Sequence, residues 1–172
     1  IYASGFRLVD SANMVSYLFS VILLPLFSKL IKEKSSENIN SVITAAFHLI
    51  LILTLGFVSV SLCYSQELMT LLYDKHIEES ARVYRILSFC FIPISMTYIF
   101  GTLLTANGSL KYLNLVAGLG MLMNIGLNFI LIPLFQQDGA ATTSLITQSV
   151  TAILQAWLAL KIFKKDSIGN TV

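Results

Sequence analysis

The sequence predicts an all-α integral membrane protein with about five transmembrane helices, and three observations support this. The chain has 172 residues, of which 56% are hydrophobic and only 12% are charged, whereas soluble domains carry about 25% charged residues. Its apolar residues fall into five stretches, each long enough to cross a bilayer core of about 30 Å as a helix. None of these stretches alternates apolar with polar residues, as the strands of a membrane barrel would.

Charge and cysteine content exclude several other classes of protein. A net charge of +2, scattered along the chain, is too small to indicate nucleic-acid binding. Two cysteines and the lack of a polar low-complexity tract exclude a disulfide-rich secreted domain and a disordered chain. The chain begins at Ile1 in an apolar run, without a basic segment or a cleavage site, so we expect it to be a fragment of a longer protein.

The five predicted spans cover approximately residues 9–30, 42–64, 81–106, 112–135 and 140–163. The first span ends in a charged loop, residues 29–37. The second is followed by a polar stretch, residues 66–79, in which residues 67–73 fit a short amphipathic helix lying at the membrane interface.

Turn-forming residues separate the later spans. Asn107-Gly108-Ser109 is a turn signal between the third and fourth spans. Pro133, together with the Gln-Gln-Asp-Gly run at 136–139, closes the fourth. Pro25 and Pro93 fall inside spans, where each removes a backbone hydrogen bond, so we expect the helices to kink there.

Basic residues in alternate loops predict the orientation of the chain. One side of the membrane receives seven lysines: Lys29, Lys32, Lys34, Lys111, Lys161, Lys164 and Lys165. The other side receives four basic residues, Arg7, Lys75, Arg82 and Arg85, together with most of the acids. The lysine-rich side is therefore predicted to be cytoplasmic, which places the N-terminus outside and the C-terminus in the cytoplasm.

Polar side chains recur along one side of three spans. On the first span they fall within about 140° of one another: Arg7, Asp10, Asn13, Tyr17, Ser20 and Ser28. The fourth span carries Asn114, Asn124 and Asn128, and the fifth carries Ser144, Gln148, Thr151 and Gln155. Polar groups in a span face protein or water rather than lipid. Hydrogen bonds between helices would explain each stripe alone, but three stripes together favour a hydrated cavity.

Arg7 is the strongest single candidate for a functional residue. It lies near the outer boundary of the first span, where Asp10 can pair with it; as a functional group, its planar guanidinium suits bidentate contact with a phosphate. His48 fits a packed, hydrogen-bonded residue better than a proton relay. The sequence contains no metal-ligand cluster, no nucleophile with a base and no nucleotide-binding fingerprint, so it predicts neither an enzyme nor a cofactor.

Three parts of the sequence resemble a known family of membrane proteins. They are residues 2–9 with 24–30, residues 101–108 with Lys111, and Asn124-x-x-x-Asn128-x-x-Leu131-Ile-Pro133 followed by 138–141 and Ile146-Thr147. In order and spacing they resemble the polysaccharide biosynthesis proteins, which are O-antigen-type flippases of lipid-linked oligosaccharides. That family belongs to the multidrug/oligosaccharidyl-lipid/polysaccharide exporter superfamily.

The resemblance implies an architecture and a function. Members form two lobes from about twelve helices, so residues 1–172 would be most of the C-terminal lobe, helices eight to twelve, with the N-terminal lobe absent. Members flip undecaprenyl-diphosphate-linked oligosaccharide across the cytoplasmic membrane by alternating access, for surface polysaccharide biosynthesis. Implied partners are the lipid bilayer, the lipid-linked oligosaccharide, a glycan polymerase and a chain-length regulator, with no nucleic acid.

The resemblance also suggests roles for individual residues. Arg7 would offset the charge of the diphosphate. Amide side chains would contact sugars: Asn13, Asn124, Asn128, Gln148 and Gln155. Pro25, Pro93 and Gly101 are hinge candidates for rocking of the lobe.

Other functions stay open at this point. A cation-coupled drug or small-molecule exporter of the same superfamily would need a buried carboxylate, whereas Asp10 is the only acid near a span interior. A peptidoglycan-precursor flippase is not separated from an O-antigen flippase by this part of the chain. A membrane glycan polymerase or acyltransferase would use an outer loop, such as residues 66–85 with His76 and Arg82. A non-catalytic membrane scaffold is the fourth alternative.

Overall fold

The computed structural model describes the backbone of residues 2–169, and in this range the side chains other than those at 4, 36 and 164–169. Four helices follow one another along the chain: α1 (Tyr2–Lys32), α2 (Ser36–Leu72), α3 (Ile77–Ala106) and α4 (Leu110–Gly169). All four are long and apolar enough to cross a membrane, and the described residues contain no strand. The predicted all-α membrane class is confirmed.

The structure has four helices where the sequence predicts about five, because the fourth and fifth spans form one helical element. α4 is 60 residues long and would measure about 90 Å if it were straight. Instead it folds back at Gln136, whose backbone is non-helical (φ 51°, ψ −126°). Asn124 then hydrogen-bonds to Thr147, and Gly139 lies against the Leu131 carbonyl. α4 is therefore an antiparallel hairpin with a first arm, residues 110–135, and a second arm, residues 137–169.

α2 has a kink where the sequence predicts the second span to end. Two helical pieces meet at Tyr64, whose backbone is non-helical (φ −116°, ψ 20°), and the residues predicted as a short separate helix are helical from there to Leu72. This second piece packs against α3, because Met69 is fully buried among Ala81, Tyr84 and neighbouring residues of that helix. Its place at the membrane interface stays a prediction.

Short connections fold the helices against one another. Lys34 and His76 adopt positive φ angles of 54° in the first two connections, and Gly108 has φ 73° in the third. At the third turn Ser109 donates its backbone N–H to the Leu104 carbonyl. This bond closes the C-terminus of α3 and confirms the predicted turn.

α3 is the central helix, since α1, α2 and α4 all pack against it. α1 and α3 run parallel in close contact: a Cβ at Gly5 would lie 3.1 Å from the Tyr84 backbone, and Ser16 Oγ lies 2.7 Å from Ser95 Oγ. α2 packs on α3 through the rings of Phe57 and Phe91, whose centroids are 4.9 Å apart.

Two apolar clusters stabilise this arrangement, one towards each end of the bundle. The first contains Leu23, Phe27, Ile43, Ile50, Ile99 and Leu103. The second contains Val9, Met69, Val83, Leu87, Phe91 and Ala141. All four helices contribute to both clusters, so the hairpin of α4 is fixed to the bundle through its second arm.

The non-helical backbone lies at Tyr64 and Gln136, and not at the two prolines predicted to kink the spans. α1 continues as helix through Pro25, and α3 through Pro93. Pro25 is exposed on α1, whereas Pro93 is buried within the bundle. Their predicted role as hinges stays a prediction.

Candidate functional site

The polar side of α1 divides into a buried edge and an open edge. Asn13, Ser16 and Ser20 are buried, and Ser16 shares its hydrogen bond with Ser95 of α3. They form the buried edge, since α3 covers that side of α1. The Asn13 Oδ1 atom is buried and has no hydrogen-bond partner among the described residues. This edge therefore serves helix packing and still contains one unsatisfied amide oxygen.

Arg7, Asp10 and Tyr17 form the open edge of α1, and all three are exposed. The ring of Tyr17 lies 6.3 Å from that of Tyr98 on α3, edge to face at 68°. The predicted ion pair between Arg7 and Asp10 is not formed. Among the described residues the ion pairs are Lys29–Glu33, His76–Glu79 and Arg82–Asp138. The Arg7 guanidinium is therefore left open to an anion from outside the described chain.

The two arms of α4 enclose a second polar region. It is an open groove of about 360 Å³, lined by Ala117, Gly120, Met121, Asn124, Ile125, Thr147, Gln148 and Thr151. Asn128 donates to Asn124 Oδ1 at 2.9 Å, and Asn124 donates to Thr147 Oγ1 at 3.4 Å. Asn128 Oδ1 is buried with no partner among the described residues. The groove thus offers amide and hydroxyl groups to a polar ligand.

Gln155 lies between the second arm of α4 and α3. Its side chain is 3% exposed, and a Cβ at Gly101 would lie 3.3 Å from its Oε1 atom. This oxygen has no hydrogen-bond partner among the described residues. Gly101 therefore permits a close approach of Gln155 to α3, which a larger residue would obstruct.

The predicted site residues thus occupy three places. Asn124 and Gln148 line the α4 groove, and Asn128 donates a hydrogen bond to Asn124. Asn13 and Gln155 are buried against α3, while Arg7 lies on the open edge of α1. The described residues do not enclose a single cavity around all six. Their roles in binding stay predictions.

Two polar contacts at the end of the bundle that holds the α4 turn were missed by the sequence analysis, which used both arginines to predict the orientation of the chain. Arg82 forms an ion pair with Asp138 at 2.8 Å and so ties α3 to the turn of the α4 hairpin. Arg85 donates from Nε to Ser65 Oγ at 2.6 Å and so ties α3 to α2. The one signal in the sequence was Asp138, an acid predicted to lie on the same side of the membrane as both arginines.

The histidines and cysteines add no further site. His48 Nδ1 lies 2.7 Å from the Thr44 carbonyl of its own helix, which confirms the predicted hydrogen bond, but the side chain is exposed, so the predicted packing is wrong. Cys63 is exposed on α2, and Cys90 is buried in α3. Within residues 2–169 no group of three or more His, Cys, Asp or Glu side chains is placed to hold a metal ion.

The fold defines a class, a multi-pass helical membrane protein. Within that class, residues 12–170 match the model of the family described as Lipid II flippase MurJ, and the chain belongs to this family. The family consists of flippases, transporters that move a lipid-linked precursor across the membrane. No curated protein and no solved structure matches the chain.

The match confirms the predicted superfamily and its transport class. It does not confirm the O-antigen branch, which the resemblance singled out; it identifies the branch that the sequence analysis kept as an alternative, the peptidoglycan-precursor flippases. Arg7 and Asp10 precede the first matched residue. The role predicted for Arg7 therefore rests on its place on α1 and not on the family match.

Proposed function

We propose that this chain forms part of a flippase that moves lipid II, an undecaprenyl-diphosphate-linked glycan, from the cytoplasmic to the outer leaflet. The family match over residues 12–170 is the observation that carries this proposal. The proposed mechanism is alternating access, in which helix bundles rock around a site that faces each side in turn. Residues 1–172 would supply most of a C-terminal lobe, and the central path would be completed by a second lobe.

The proposed contact to the diphosphate is Arg7. A guanidinium binds phosphate oxygens through two parallel hydrogen bonds, which a lysine cannot reproduce. Arg7 is exposed near the outer end of α1, and no described carboxylate forms an ion pair with it. Its charge is therefore available to offset that of a headgroup crossing the membrane.

Amide groups are the proposed contacts to the glycan. Asn124 and Gln148 present such groups in the α4 groove, and Asn128 is hydrogen-bonded to Asn124. Asn13 and Gln155 each hold an unsatisfied oxygen at the surface of α3. An unsatisfied buried polar atom costs about 1–3 kcal/mol. A rocking motion that exposes these two oxygens would let them accept hydrogen bonds from sugar hydroxyls, so binding of the substrate would favour that motion.

The proposed orientation places the lysine-rich end in the cytoplasm. Lys29 and Lys32 lie in the last turn of α1, Lys34 follows in the connection to α2, and Lys111 begins α4. These positions share one end of the bundle because α1 and α3 run parallel. The side chains of Lys164 and Lys165, also used in the prediction, lie outside the described residues.

Lipid analysis of a strain lacking the full-length gene tests this function and its substrate. We expect undecaprenyl-diphosphate-linked peptidoglycan precursor to accumulate, because it can no longer leave the cytoplasmic leaflet. Accumulation of a different lipid-linked oligosaccharide, with normal peptidoglycan, would support the O-antigen-type substrate predicted from the sequence. If neither lipid-linked precursor accumulates, the result would contradict the flippase function. Re-expression of the full-length gene is the control.

A further inference from the structure

An aromatic residue occupies the middle of the open edge of α1. Tyr17 is the central residue of α1, Tyr2–Lys32, so it lies about 22 Å along the helix from either end. Tyrosines in membrane proteins usually anchor the interfaces, where the hydroxyl reaches water. At mid-depth the Tyr17 side chain is 50% exposed, so membrane anchoring does not explain its position.

A second tyrosine, on α3, lies against Tyr17. Tyr98 of α3 packs edge to face on Tyr17, with 6.3 Å between ring centroids. Tyr98 is only half-buried. The edge-to-face contact fixes the Tyr17 ring while half of that side chain stays open. The result is an aromatic surface on the open edge, and Asp10 lies about 10 Å before Tyr17 along the helix, towards Arg7.

The order along α1 relates this surface to Arg7. Arg7, Asp10 and Tyr17 lie within about 80° of arc, and Tyr17 is about 15 Å further along the helix than Arg7. A diphosphate held at Arg7 would therefore leave its attached sugar rings in reach of Asp10 and Tyr17. A guanidinium, a carboxylate and an aromatic ring thus follow one another over about 15 Å of the open edge, and they suit the diphosphate, the hydroxyls and the ring faces of a phosphorylated glycan.

We propose that Tyr17 and Tyr98 form a stacking platform for a pyranose ring of the lipid-linked headgroup, with Asp10, about 10 Å nearer to Arg7 along α1, accepting hydrogen bonds from other hydroxyls of that headgroup. A pyranose presents C–H groups on its faces, which pack on the negative face of an aromatic ring. A carboxylate is a strong acceptor for the hydroxyls at the ring edge. This inference rests on the proposed function, because it uses Arg7 as the diphosphate contact.

Binding of two lipids to the full-length protein in nanodiscs tests the platform. The probes are lipid II and undecaprenyl diphosphate, which lacks the sugars, and the readout is Kd by titration. In the Tyr17→Leu/Tyr98→Leu variant we expect the Kd for lipid II to rise about tenfold. The Kd for undecaprenyl diphosphate should stay within about twofold, since Arg7 is intact.

Three further variants serve as controls. Tyr17→Phe keeps the ring and should bind lipid II nearly as the natural protein does. Tyr112→Leu removes a tyrosine of similar exposure, 49%, from the first arm of α4 and should change neither Kd. Arg7→Ala should weaken both lipids. If the double variant unfolds, Tyr17→Leu alone provides the same test, because its side chain is half exposed.

Each outcome decides between the platform and the function on which it rests. Unchanged lipid II binding in the leucine variant overturns the platform and leaves the proposed function standing if Arg7→Ala still weakens both lipids. Equal loss of both lipids in the leucine variant also overturns the platform, because the tyrosines would then act by packing alone. Failure of the natural protein to bind either lipid overturns both.

Discussion

Arg7 and Asn13 belong to the same polar stripe of α1, yet they meet different surroundings. Asn13 faces α3 and is 8% exposed, while Arg7 is exposed on the open edge. A helical wheel gives the angle between two side chains, but which of them is covered depends on where the next helix lies. The sequence could therefore predict the stripe, and only the packing of α3 divides it.

Substitution of Arg7 tests the residue-scale proposal. In the full-length protein, Arg7→Ala should raise the Kd for undecaprenyl diphosphate by about tenfold to a hundredfold, because hydrogen bonds to charged groups contribute about 1.5–3 kcal/mol. Arg7→Lys should recover part of this affinity, since it keeps the charge and loses the bidentate geometry. Arg85→Ala is the matched control, because Arg85 is bonded to Ser65. Equal binding by Arg7→Ala and the natural protein would contradict the proposed contact.

At the scale of elements, the α4 hairpin shows what the sequence predicts well. The apolar lengths of the fourth and fifth spans and the polar run at 136–139 predict two crossings with a break between them. The structure places its non-helical residue, Gln136, at that break. The lengths of the apolar stretches predict the two arms well here, because membrane thickness sets the length of each arm.

The last turns of α2 show what such patterns leave out. Residues 67–73 are predicted as a short helix and are helical up to Leu72 beyond the kink at Tyr64, but their amphipathic pattern does not indicate that α3 buries Met69. The same limit applies to Arg82, whose partner Asp138 is distant in sequence. Contacts of this kind depend on tertiary packing, which a span-by-span analysis does not contain.

Two glycines on the first arm of α4 test the hairpin directly. A Cβ at Gly120 would lie 2.8 Å from Thr151 Oγ1 on the second arm, whereas a Cβ at Gly118 meets nothing within 4 Å. Gly120→Val should therefore separate the arms and lower the free energy of unfolding by about 1–3 kcal/mol. Gly118→Val, the same change on the exposed side, should have little effect. Thermal unfolding in detergent measures both, and equal melting temperatures would contradict the hairpin packing.

For the whole molecule, two polar contacts join helices at one end of the bundle, while two polar surfaces stay open. Arg82–Asp138 joins α3 to α4, and Arg85–Ser65 joins α3 to α2, at the same end of the bundle. The open edge of α1 and the α4 groove remain available to a polar headgroup. In the proposed mechanism, these helices rock as a unit around α3, which contacts each of the other three described helices.

The most direct test of the central claim asks on which leaflet the substrate headgroup lies. In cells depleted of the full-length protein, labelling of lipid II by a membrane-impermeant reagent should fall, because the headgroups stay on the cytoplasmic leaflet, where the reagent cannot reach them. Restored expression should bring the labelling back. Arg7→Ala at normal protein levels should behave as the depleted strain does. Outer-leaflet labelling that stays at the normal rate after depletion would contradict the account.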